Sequence, residues 1–129
     1  MEVKFNEATN NRPEGDRPVD SPLIMISIPN LIKQIKKEKT WEKNDRNAVT
    51  VFKNEKMSLI LVALHKKAEM TTGRPENVFC LQMLAGRVKL HLGANTTDLR
   101  KEELFVLHAD ISYKIEALKK SVFLLTVAG

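Results

Sequence analysis

From residue 48 onward, apolar side chains recur at every second position, in short segments broken by turn residues. This period of two constrains the fold more than any other feature. The segments are 48–53 (AVTVFK), 57–65 (MSLILVALH), 78–84 (VFCLQML), 87–92 (RVKLHL), 104–108 (LFVLH), 113–117 (YKIEA) and 121–128 (SVFLLTVA). Val, Ile, Leu and Phe dominate them, and Asn54-Glu55, Gly73-Arg74-Pro75, Ala85-Gly86, Gly93-Ala94-Asn95 and Ala109-Asp110 punctuate them. Seven short strands in about 80 residues predict an all-β sandwich or barrel.

The 129 residues suit one compact domain, expected over residues 22–129. Residues 1–21 (MEVKFNEATNNRPEGDRPVDS) combine Pro13, Gly15 and Pro18 with charges and little apolar surface. They read as a flexible arm, since they bury too little to offset their ordering entropy. No apolar run approaches the roughly 20 residues of a membrane helix. The arm lacks an export signal and Cys80 is the single cysteine, so a cytoplasmic location and no disulfide framework are expected. A net charge of +5 is too diluted, by Glu38, Glu42, Asp45 and Glu55 among the lysines, to mark a nucleic-acid surface.

Between the arm and the strands the period changes. Leu31, Ile32 and Ile35 share one stripe of a short helix beginning near Asn30, with Ser27 or Asn30 as cap and Pro29 in its first turn. Segments 57–64 and 121–128 are apolar on both faces, one of which a lone barrel would leave uncovered. The second face must therefore meet that helix or another subunit, and a homodimer is expected.

The stretch LVALHKKAEMTTGRPENVFCLQMLAGRVKLHL resembles the first motif of the cupin family of small jelly-roll barrels. LRKEELFVLHADISYKIEALKKSVFLLTVA resembles the second motif and the strand that follows it. The likeness runs from about Ala48 to the C-terminus, and 15 residues separate Gly86 from Glu102, as in compact cupins. It implies an all-β cupin-type jelly roll with one short N-terminal helix. Aligned on Gly86, the family's first glycine falls on Lys67, its two histidines on Gly73 and Pro75, and its glutamate on Phe79. In the second motif glycine, proline, glycine and histidine correspond to Glu102, His108, Asp110 and Tyr113.

Metal-binding cupins use three histidines and a glutamate at those places, an N/O set suited to Fe, Mn, Ni or Zn. Here the positions read Gly73, Pro75, Phe79 and Tyr113, so no metal and no other cofactor is expected. If Phe79 faces inward, alternation brings in Leu81 and Met83; if Tyr113 does, Ile115 follows. These five would line an apolar interior in which the Tyr113 phenol orients a ligand and Arg74 at the mouth attracts an anionic group. The expected function is thus a barrel that binds a small apolar or weakly anionic molecule, or one that is purely structural. The alternative is a dioxygenase- or isomerase-type cupin enzyme with His65, His108 and Glu69 as substitute ligands, or with acid/base chemistry at Tyr113. A protein-binding regulatory module is the third option. Cys80 reads as a buried thiol on the face opposite Phe79, Ser58, Ser112 and Ser121 carry no nucleophile motif, and His91 reads as a surface residue.

Overall fold

The computed structural model describes residues 3–5, 23–71, 78–108 and 111–128. Two helices, α1 (Ile28–Lys37) and α2 (Lys39–Lys43), precede the main strands. These are β3 (Arg46–Lys53), β4 (Met57–Leu64), β5 (Glu69–Met70), β6 (Phe79–Ala85), β7 (Arg87–Leu92), β8 (Asn95–Arg100), β9 (Leu104–Leu107), β10 (Tyr113–Ala117) and β11 (Ser121–Ala128). A five-stranded sheet runs β3-β4-β11-β6-β9 and a four-stranded sheet runs β5-β10-β7-β8. Every pairing within both is antiparallel, the arrangement of a jelly roll.

Alternation sorts the side chains onto the two faces of each sheet. Register sets Val62 beside Phe123 and Phe123 beside Met83, Leu125 beside Leu81, and Ile115 beside Leu90. With Leu64, Phe79, Val88, Leu99, Leu107, Tyr113 and Ala117, these residues form the core between the sheets. The intervening residues Leu61, Ala63 and Val122 point the other way and meet Leu31, Ile35 and Trp41 of the helices in a second core. The covering expected for the doubly apolar strands is therefore supplied in part by α1 and α2 of the same chain. Ser27 caps α1 through its hydroxyl, which accepts from the Asn30 amide at 3.4 Å, and Pro29 sits in the first turn.

Of the elements described so far, three were not expected. β8 reads NTTDLR, without apolar alternation, and β5 has only two residues. Both are set by pairing with β7 and β10, not by their own composition. The five-residue α2 is held by Trp41, whose indole is buried in the second core. The expected arm 1–21 falls mostly outside the described residues; within it β1 (Val3–Phe5) pairs in parallel with β2 (Leu23–Met25). No described helix is long and apolar enough to cross a membrane.

Candidate functional site

Phe79 opens β6 and Tyr113 opens β10, so the two strand starts bring their rings to one end of the inter-sheet space. The ring centroids lie 4.6 Å apart at 38°, a tilted contact. Leu81, Met83 and Ile115 continue inward from them on the same faces. Exposures of 1% for Phe79, 0% for Leu81, 1% for Met83, 5% for Tyr113 and 0% for Ile115 put all five inside one packed cluster. The sixth expected residue, Arg74, lies outside the described residues, as do Gly73 and Pro75.

Tyr113 contributes the polar atom here. Among the described residues its hydroxyl has no hydrogen-bond partner, and no fully buried side-chain N or O is left unpaired. The phenol oxygen therefore reaches solvent at the mouth while its ring is buried. Burial pushes the phenol pKa well above its ordinary range, because the interior disfavours phenolate.

The backbone supports the motif alignment independently of side-chain chemistry. Gly86 has φ +84°, and the positions that correspond to family glycines carry Lys67 at φ +78° and Glu102 at φ +72°. All three lie in the left-handed region that glycine adopts most readily. At Gly86 a Cβ would also collide with the Lys120 carbonyl and Ser121. Ser121 is buried there, accepting from the Arg87 amide at 3.0 Å and donating to the Lys119 carbonyl at 2.8 Å. The turn geometry of the scaffold is thus present where two of its glycines are not.

The donor set does not fit the metal that this kind of fold implies. Phe79 offers no ligand atom, and the Tyr113 phenol is packed against it. The substitute ligands His65, Glu69 and His108 are not brought together. His65 stacks on Trp41 (centroids 3.6 Å apart, 16°) and its Nε2 donates to the Trp41 carbonyl at 2.9 Å, on the helical side of the sheet. Glu69 lies 3.6 Å from the Lys114 ammonium on the opposite sheet, and His108 is exposed beyond β9. Among the described residues no three His, Cys, Asp or Glu side chains form a group able to hold a metal ion.

His91 faces outward as expected, part-exposed on the outer face of the four-stranded sheet, donating from Nε2 to Glu116 at 3.0 Å. One other single-residue reading changes. Cys80, expected to be buried, is part-exposed; of β6 it is the far end, Leu84 and Ala85, that packs against the helical core. Sequence reasoning missed Asn47, which is 5% exposed. Its Nδ2 donates to the Ile35 carbonyl and to Glu38 at 2.8 Å each, and its Oδ1 accepts from the Ala48 amide at 2.9 Å. Asn47 follows the polar run Lys43–Arg46, so nothing in the local pattern singled it out.

No protein-family model matches the sequence, and no curated protein sequence does. Solved structures do match. A cupin superfamily protein from Desulfitobacterium hafniense DCB-2 is similar with a TM-score of 0.63 at 12% identity, over 66% of this chain and 78% of that one. The cupin domain of Schizosaccharomyces pombe Cnp3 gives 0.58 at 17% identity, over 67% of each chain. Salicylate 1,2-dioxygenase from Pseudaminobacter salicylatoxidans gives 0.67 at 12% identity, over 79% of this chain and 34% of that one. The fold is of cupin type; identities this low carry no activity across.

Proposed function

We propose that this cupin-type barrel is a non-catalytic, metal-free scaffold whose interior is filled by its own side chains. The observation that supports the reading is the Phe79–Tyr113 contact at 4.6 Å, which sets two packed rings at two of the family's four ligand positions. Leu81, Met83 and Ile115, each at most 1% exposed, fill the space behind it. A filled interior contributes stability, with each large apolar side chain worth roughly 2–5 kcal/mol on truncation to alanine.

A second reading rests on the solvent-reaching hydroxyl of Tyr113. A small apolar or weakly anionic molecule would sit at the mouth, hydrogen-bonded by that phenol and drawn by Arg74. A metal-dependent enzyme with a rearranged ligand set finds least support, since His65, Glu69 and His108 are dispersed.

Elemental analysis of chelator-free protein, joined to a thermal-shift series, separates the three. The filled scaffold should contain only trace metal, and its melting temperature should not respond to Mn, Fe or Zn. A panel of small carboxylic acids and phenols should also leave it unchanged. Stoichiometric metal would overturn the reading in favour of the enzyme. A ligand-induced shift abolished by Tyr113→Phe would overturn it in favour of binding at the mouth.

A further inference from the structure

Several turns meet at the end of the jelly roll that Gly86 marks. β4 ends at Leu64 beside Ser121, the first residue of β11, so the turns 65–67 and 118–120 leave the sheets side by side. Backbone bonds tie them into one surface. The Lys67 amide donates to the Ala117 carbonyl at 2.8 Å, and the Leu118 amide to the Arg87 carbonyl at 2.9 Å. The turn between β8 and β9 joins at the flank, where the Glu102 amide donates to the Met83 carbonyl at 3.0 Å. The first two turns carry Lys66, Lys67, Lys119 and Lys120, all exposed.

Among the described residues no ion pair involves any of these four ammonium groups. The carboxylates nearby are committed to other cations: Asp45 to Arg46 at 2.9 Å, Asp98 to Arg87, Glu69 to Lys114 at 3.6 Å and Glu116 to His91 at 3.0 Å. Glu102 and Glu103 follow Arg100 and Lys101 in a turn that is balanced within itself, and Glu103 accepts from the Arg100 amide at 2.7 Å. Grouping like charges without counter-ions works against folding. Lys67 adds a second cost, because it holds φ +78° where glycine fits best. No contact among the described residues offsets either cost, which points to a contact outside the chain.

We propose that this end docks an acidic, extended segment of another protein, its carboxylates laid along Lys66, Lys67, Lys119 and Lys120. Three observations select that partner over other polyanions. A nucleic-acid single strand needs aromatic platforms, but these turns carry no Phe, Tyr or Trp, and the His65 ring is stacked on Trp41. A duplex or a membrane is anionic across its whole face and would press Glu102 and Glu103 against its own charges, whereas a flexible segment follows the lysines and passes them by. A compact phosphate ligand favours guanidinium forks, and the four free cations here are ammonium groups on outward turns. Each pair is weak, so the contact gains by number and salt screens it. The surface is independent of what fills the interior.

Fluorescence anisotropy of a labelled oligoglutamate peptide, titrated with the full chain at about 20 mM salt, tests it. Binding should saturate, and should weaken roughly tenfold or more when salt rises to about 200 mM. Lys66→Glu with Lys67→Glu, and Lys119→Glu with Lys120→Glu, should each weaken it by about tenfold. Lys53→Glu with Lys56→Glu makes the same charge change at the other end of the β3–β4 pair and should alter it by less than about twofold. Lys67→Gly suits the left-handed backbone, so it keeps the fold and should still bind roughly two- to threefold more weakly. Absence of saturable binding, or an equal loss in the Lys53 and Lys56 variant, overturns the proposal. So does tighter binding of a duplex oligonucleotide or of phosphatidylserine–phosphatidylcholine vesicles, which would assign this end to a nucleic acid or a membrane.

Discussion

Tyr113 shows how a single side chain records its surroundings. The ring is buried against Phe79 and the folded chain disfavours phenolate, so the folded pKa lies above the ordinary value of 10.0. The folded state then keeps a proton that the unfolded state releases, and stability must fall as pH rises past about 10. Urea midpoints at about pH 8 and about pH 11 should therefore drop more steeply for the wild type than for Tyr113→Phe. Near neutral pH the two proteins should differ by no more than about 1 kcal/mol, because the hydroxyl has no partner to lose among the described residues. Parallel alkaline loss in both would assign the titration elsewhere. Acid behaviour has the opposite sign. Arg46 bonds to Asp45 and Arg87 to Asp98, and each holds its carboxyl below the ordinary range. The stability these carboxylates add is present above the unfolded value near 4 and disappears as pH falls through the folded one.

Among the elements, α1 depends most on what it packs against. Its ten residues are too few to hold a helix in water, and its stripe of Leu31 and Ile35 is buried against Val49, Leu61 and Val122. Asn47 fastens its last turn to β3 through the Ile35 carbonyl and Glu38. Asn47→Ala should cost about 1–3 kcal/mol in urea or thermal unfolding, because a buried carbonyl loses its donor. A loss within error would mean that water takes over the bond. The strands and this helix were legible because alternation and helical stripes are local. β8 was not, because Asn95–Arg100 gains its extended form only from the rungs that β7 supplies. Asn47 was invisible for a related reason: its two acceptors lie 12 and 9 residues away in the chain.

For the whole molecule, the five-stranded sheet is shared between two cores. Phe123 and Leu125 of β11 face the inter-sheet core while Val122 of the same strand faces the helices. Neither core can dissolve without exposing the sheet to water on one side, so both should melt in a single transition. The only tryptophan, Trp41, reports the helical core, and far-UV circular dichroism reports the strands. The two unfolding curves should coincide, and Leu61→Ala should shift both together by roughly 2–5 kcal/mol. Separate midpoints would show that the helices detach first.

The amino-acid order by itself determined the all-β class, the helix stripe, the jelly-roll likeness and the absence of histidine and glutamate at the family's four positions. These follow from periodicity and from residue identity, which are properties of neighbours along the chain. Tertiary structure decided which partner covers each face of β4 and β11, that Phe79 and Tyr113 touch, and that the turns bearing Lys66, Lys67, Lys119 and Lys120 meet at one end. Those depend on sheet order, and sheet order joins residues far apart in sequence, where no local pattern reaches.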